Sequence, residues 1–250
     1  MLPQIHIGSL AIPSYGLCMV TGIIVAFWVA YYRLRARGGD FDSLLMIGAV
    51  SIALGLSAAK ITYYIFSYGV VRLFRELLSG DFSGFSAAGL VFYGGLIGGI
   101  VGAYIAVRTS KYNFDTYASA IVPCVPLGHA FGRVGCLLAG CCYGVHYEGA
   151  FSVHSVYVDL YKTLFPIQAV ESICNFFLFA VLSLYTRKQK SGYLILKVYI
   201  ILYAITRFSL EFFRGDIIRG IYVGFSTSQW ISILLVSACL FPMVLNQKKG

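Results

Sequence analysis

The stretch LLMIGAVSIALGLSAAKITYYIF, residues 44–66, carries one charge, Lys60. Coiled at about 1.5 Å per residue, it is long enough to span the ~30 Å hydrocarbon core of a bilayer. Six further apolar stretches of similar length lie at about 10–32, 88–108, 117–140, 165–185, 194–213 and 226–246. The composition agrees: 59% of residues are hydrophobic and 12% charged, against roughly 45–50% apolar and about 25% charged in soluble domains. At a mean hydropathy of +0.80, too few polar side chains remain to cover a soluble core, so the apolar residues must face lipid. The sequence therefore predicts an all-α polytopic membrane bundle of about seven transmembrane helices, forming a single integral-membrane domain over residues 1–250. The longest connections are about 67–87, with the amphipathic VVRLFRELL, and about 141–164.

A net charge of +9, from 19 Lys and Arg against 10 Asp and Glu, would suggest nucleic acid in a polar protein. Here it is tested first against topology, because cytoplasmic loops collect Lys and Arg. One set of alternate helix ends holds Arg33, Arg35, Arg37, Arg108, Lys111, Arg187, Lys188, Lys190, Lys248 and Lys249. The other holds Arg72, Arg75, Lys162, Arg214 and Arg219. The imbalance predicts an outside N-terminus and a cytoplasmic C-terminus, and no nucleic-acid partner. No Lys or Arg precedes the first apolar run, so no cleaved signal peptide is expected.

Charges that topology does not explain are more informative, since one at the centre of a span costs about 2.5–3.5 kcal/mol. Lys60, Arg133, Glu171, Arg207 and Glu211 fall within or at the edge of spans. In the predicted orientation all five lie towards the outer leaflet. Arg207, Glu211 and Arg214 are spaced i, i+4, i+7, which places them on one helix face with Glu211 able to orient both arginines. Three arginines against one or two carboxylates predict a positive surplus in low dielectric. That suits a phosphate, whose oxygens match guanidinium donors bidentately, and in an outer leaflet the simplest phosphate is a phospholipid head group.

Glycines crowd GHAFGRVGCLLAGCCYG, residues 128–144, and VFYGGLIGGIVG, residues 91–102; they serve either helix packing or a ligand. Tyr15 in IPSYGL and Tyr93 stand at outer helix ends, as belt anchors or head-group ligands. Cys136, Cys141 and Cys142 lack the paired C-x2-C spacing of zinc ribbons, so no metal is expected. A disulfide or a reactive thiolate at Cys141 and Cys142 stays open.

IPSYGL, YGGLIGG, GRVGCLLAGCCYG, FPIQAVES, RFSLEFFRGD and STSQWIS, in that order over nearly the whole chain, resemble prolipoprotein diacylglyceryl transferase, the Lgt family of bacterial inner-membrane enzymes. The family's signature arginine matches Arg133; the essential arginine and glutamate of the sixth helix match Arg207 and Glu211, and the arginine one turn on matches Arg214. Tyr15, Gly144, Gln168 and Glu171 also match family positions. Departures are Tyr93 for a common His, Cys136 and Cys141 for Asn and Glu, Phe165 for His and Ser119 for Asp.

The resemblance implies transfer of diacylglyceryl from phosphatidylglycerol to the lipobox cysteine of preprolipoprotein signal peptides within the lipid bilayer, with no cofactor. It implies catalytic roles for Arg133, Arg207, Glu211 and Tyr93, and substrate-binding roles for Tyr15, Gly94, Gly95, Gly144, Glu171 and Arg214. The acceptor of the thiol proton, Tyr93 or Glu211, stays open. Alternatives are a paralogue with another acceptor and an anionic-substrate transporter. The latter is disfavoured because no inverted repeat is visible.

Overall fold

Proline and glycine decide where the apolar stretches stay continuous and where they break. The computed structural model describes residues 2–8, 10–79, 92–109, 114–158, 161–188, 191–216 and 220–247. In chain order the elements are β1 (Gln4–Ile7), β2 (Leu10–Pro13), α1 (Ser14–Arg35), α2 (Phe41–Tyr68), α3 (Val70–Ser79), α4 (Phe92–Thr109), α5 (Phe114–Ile121), α6 (Cys124–Ala139), α7 (Ile167–Lys188), α8 (Gly192–Leu210), a 3₁₀ turn (Glu211–Phe213), β3 (Ile221–Tyr222), β4 (Phe225–Ser226) and α9 (Thr227–Gln247). They divide into two compact units, residues 34–117 and residues 1–33 with 118–250.

Five helical stretches are long and apolar enough to cross a membrane: Ser14–Arg35, Phe41–Tyr68, Phe114–Ala139, Ile167–Arg187 and Gly192–Phe213. Two shorter apolar helices, Gly94–Thr109 and Thr227–Leu240, fall where the remaining spans are predicted. The chain is an all-α polytopic membrane protein. Lys111, Lys190, Arg219, Lys248, Lys249 and the start of the third predicted span lie outside the described residues.

In the 34–117 unit, Asp40 caps α2 by accepting the Ser43 N–H at 3.1 Å. Gly94, Gly98 and Gly102 recur every four residues on α4 and press against α2. A Cβ at Gly94 would lie 2.3 Å from Thr62 Oγ1, one at Gly98 2.4 Å from the Leu54 carbonyl oxygen, and one at Gly102 2.8 Å from the Val50 carbonyl oxygen. This close small-residue seam is how helices associate where lipid offers no hydrophobic contrast.

The larger unit begins with a hairpin rather than helix, a correction to the span predicted from residue 10. β1 pairs antiparallel with β2 from Gln4↔Pro13 to Ile7↔Leu10. Pro13 disfavours helix at Ile12 before it, so α1 starts at Ser14. That residue is fully buried, and its N–H donates to the Pro3 carbonyl at 3.0 Å.

The fourth predicted span, 117–140, is likewise broken, between α5 and α6. Pro123 has no N–H for the Ser119 carbonyl, which in a continuous helix would be its acceptor. Arg33 from α1 supplies the missing donors: its Nη2 donates to Ser119 O at 3.1 Å and also to Thr186 Oγ1, and its Nε donates to Ala120 O at 3.2 Å. A residue expected only to set topology is thus a structural cap.

The fifth span is helical from Ile167, whose N–H donates to the Phe165 carbonyl at 2.8 Å in a tight turn about Pro166, and it is inside out. Gln168, Glu171, Ser172 and Asn175 are each at most 4% exposed, whereas Ile173 and Phe177 are 67% exposed. Only a lipid-facing helix with a polar interior reads this way. The sixth span stays α-helical to Leu210 and tightens into the 3₁₀ turn before Arg214 becomes extended.

Gly98→Ala is expected to destabilise the α2–α4 pair by about 1–3 kcal/mol through overpacking, lowering the thermal midpoint in detergent. Gly99→Ala, whose Cβ would meet its nearest atom at 3.7 Å, should not. Equal midpoints for the two variants would remove the seam.

Candidate active site

Arg133 sits on α6 between glycines that let α1 come close. A Cβ at Gly135 would lie 3.1 Å from Cys18 Cβ and 3.2 Å from Tyr15 Cα. The IPSYGL and GRVG motifs therefore meet, with Tyr15 beside the signature segment.

From Arg133 an ion-pair chain crosses four elements. Arg133 Nε lies 2.8 Å from Glu171 Oε2 on α7, and Glu171 Oε1 lies 3.0 Å from Arg207 Nη1 on α8. Arg207 Nη2 lies 2.7 Å from Glu211 Oε2 on the 3₁₀ turn and donates to Ser228 Oγ on α9 at 3.1 Å. The arginine side chains are 13% exposed, Glu171 4% and Glu211 2%. Removing one partner of such a buried pair costs about 3–5 kcal/mol, because the other charge is stranded.

Arg214 departs from the sequence expectation. Beyond the 3₁₀ turn its backbone is extended, and its fork grips Asp216 through Nε–Oδ1 at 3.0 Å and Nη2–Oδ2 at 2.6 Å. The i, i+4, i+7 face ends at Glu211, because the α-helical repeat ends at Leu210. Asp216 also removes the predicted positive surplus: Arg133, Arg207 and Arg214 stand against Glu171, Glu211 and Asp216. Capacity for an anion rests on donors rather than net charge. Among the described residues, neither terminal nitrogen of Arg133 donates a hydrogen bond. Next to the chain is a cavity of about 410 Å³, lined in part by Glu211, Arg214, Asp216, Ser226 and Gln229.

Gly144 is placed by packing. It bridges to Arg214, and a Cβ there would lie 2.3 Å from the Phe165 carbonyl oxygen and 3.0 Å from that of Phe213. The flanking N–H groups of Val145 and Gly215 donate to Phe213 O and Tyr143 O, both at 3.0 Å, so the 141–164 connection is sewn onto the end of the sixth span. Gly94 and Gly95 belong to the 34–117 unit. Gly94 is part of its seam, and a Cβ at Gly95 would lie 3.4 Å from Ala59 Cβ. Lys60 is on α2 of the same unit, and the Tyr93 side chain lies outside the described residues.

Sequence reasoning missed Ser228 and Asp216. The signal for Ser228 was the polar quartet STSQ at the head of an apolar run, and that for Asp216 an acidic residue two positions beyond Arg214. Ser226 and Gln229 form a reciprocal cap, with Ser226 N donating to Gln229 Oε1 at 2.9 Å and Gln229 N to Ser226 Oγ at 3.3 Å. Ser228 is thereby aimed at Arg207. Gln168, fully buried, donates to the Cys141 carbonyl at 2.8 Å.

All seven cysteines are free thiols in this structure. Thiol donors at Cys136 and Cys141, with Arg133 and Arg214 near, hold the Cys142 thiol well below the usual range.

Comparison with known proteins accords with this arrangement. The family model described as prolipoprotein diacylglyceryl transferase matches residues 3–245. A phosphatidylglycerol–prolipoprotein diacylglyceryl transferase 2 of Clostridium perfringens is 34% identical, covering 98% of this chain and 95% of its own. Enzymes of the same name, without the numeral, from Clostridium tetani and Dehalococcoides mccartyi are 32% and 30% identical, covering 93% and 97% of this chain and 92% of each relative. Matched over nearly its whole length by both the family model and these relatives, the chain belongs to the prolipoprotein diacylglyceryl transferase family.

Proposed function

We propose that this protein transfers diacylglyceryl from phosphatidylglycerol to the lipobox cysteine of preprolipoproteins, releasing glycerol phosphate, as one integral-membrane domain of the bacterial inner membrane. The observation that carries the proposal is Arg133. Its Nε is paired with Glu171 while, among the described residues, its two terminal nitrogens donate no hydrogen bond, as a phosphate-binding guanidinium should be. With the N-terminus outside, the ends of α6 and α8 that bear Arg133 and Arg207, and the 3₁₀ turn that bears Glu211, lie at the outer leaflet, where both substrates present their reacting groups.

In the reaction the acceptor thiolate attacks the glyceryl carbon bound to the phosphate ester oxygen. An S–C bond forms, the C–O bond breaks, and the electron pair leaves on a phosphate monoester. The leaving group gains negative charge as it departs, and Arg133 and Arg207, oriented beforehand by Glu171, stabilise it. Arg214, held by Asp216 against the backbone of Gly144, borders the cavity in which the head group would sit. Glu211 lines that cavity and in this reading takes the thiol proton. Tyr15, packed beside Gly135, and Gly144, bridged to Arg214, take substrate-binding roles in this reading. Gly94 and Gly95 act by fixing α4, the helix that carries Tyr93, a second proton acceptor of suitable chemistry.

The deciding assay supplies labelled phosphatidylglycerol and a lipobox peptide. Thioether product and glycerol phosphate should form together; glycerol phosphate released without thioether would overturn the proposal. In the same assay Arg133→Ala and Arg207→Ala should each lose at least about 10²–10³-fold in kcat while remaining extractable as folded protein. Near-normal turnover in either would remove the phosphate role. Glu171→Gln should lower both activity and the thermal midpoint, since two guanidiniums lose their shared carboxylate at a cost of about 3–5 kcal/mol.

A further inference from the structure

Three thiols that the ion-pair chain does not use meet at one point. Cys136 lies in the last turn of α6. The chain then turns back through Gly140 at φ +81° and Cys142 at φ +56°, so that Cys141 and Cys142 fold over the helix end. The Sγ atoms of Cys136, Cys141 and Cys142 all lie within 4.8 Å of one another. Three thiolates about one cation, at the ~2.3 Å of a zinc–sulfur bond, stand about 4 Å apart, a spacing that side-chain rotation within this turn can reach.

The turn is held in place before any ligand arrives. Buried Gln168 donates to the Cys141 carbonyl at 2.8 Å, and buried Ser155 donates to the Gly140 carbonyl at 2.6 Å. Such supporting bonds let a site bind without first ordering its backbone. Cys136 is buried, whereas Cys141 and Cys142 are half-buried, which leaves a side for entry. Arg133 and Arg214, which act on the Cys142 thiol, would repel a bare cation. Three thiolates around a divalent ion, however, form a monoanion, and around a monovalent ion a dianion. Either complex is attracted by the two guanidiniums.

We propose that Cys136, Cys141 and Cys142 form a binding site for a thiophilic d¹⁰ cation, either Zn²⁺ with a fourth position left to solvent or three-coordinate Cu⁺. Sulfur ligands select ions of this kind. Binding releases the thiol protons to solvent and changes no oxidation state.

The test uses the full-length protein, reduced, freed of reductant under anaerobic conditions and titrated separately with Zn²⁺ and Cu⁺ against a competing chelator. With one or both ions, one cation per chain is expected, and it should protect Cys136, Cys141 and Cys142 from maleimide labelling while leaving Cys18 and Cys174 reactive. The stoichiometric binding should be lost in Cys136→Ser and in Cys142→Ser. Unprotected labelling of the three thiols in the unmutated protein with both ions would overturn the site, and that readout does not depend on any variant folding. Unchanged stoichiometry in both variants would overturn it too, as would a disulfide among the three whose reduction restores no metal binding.

Discussion

One carboxylate holds the larger unit together. Glu171 shares its two oxygens between Arg133 and Arg207 at 2.8 and 3.0 Å, inside a chain whose exterior is lipid-facing. The desolvation of each charge there is worth several kcal/mol and is offset only if geometry is kept. The helices α6, α7 and α8 therefore cannot slide or rotate past one another without stranding a charge. The backbone supports the same point, because Asn175 donates to the Glu171 carbonyl at 2.7 Å and Ser172 to the Ala130 carbonyl at 3.0 Å. The interaction that locks the helices is also the one that aims the spare nitrogens of Arg133.

This arrangement puts stability and chemistry in one place. A soluble protein can build its core from apolar contacts and add a site at the rim, but here apolar contact with a neighbouring helix is scarcely better than contact with lipid. Close glycine seams serve the 34–117 unit, and buried polar contacts serve the larger one. The cluster of polar positions on α7 is thus both the buried face of that helix and the source of the carboxylate in the ion-pair chain.

The architecture was legible in the sequence because apolar length is a strong signal, and so were Arg133, Glu171, Arg207 and Glu211, because a charge in a span stands out against its surroundings. What escaped was local and depended on breaks in periodicity. Pro13 turned four residues of the first apolar stretch into a strand, and Pro123 split the fourth span. The 3₁₀ turn at Glu211–Phe213 swung Arg214 off the face that a continuous helix would have given it, to a partner two residues away. Ser228 was hidden by the ordinary look of a serine at a helix start. Gly144 read as a ligand position and sits among carbonyl groups. The three cysteines read as a cluster without metal-ligand spacing, because their convergence depends on two left-handed residues, one of them not glycine, which no spacing rule reports.

The repair of the Pro123 break by Arg33 has a consequence for how the chain is made. The carbonyls at Ser119 and Ala120 need their donor as soon as they leave water, yet the donor belongs to a helix that precedes them by more than 80 positions. Synthesis runs from the N-terminus, so α1 and its guanidinium are already at the membrane when the broken segment emerges. The order of the helices along the gene thus matches the order in which their unsatisfied groups need partners, and a circular permutant opened after Arg33 would reverse it, asking a proline-broken span to enter lipid before its cap exists.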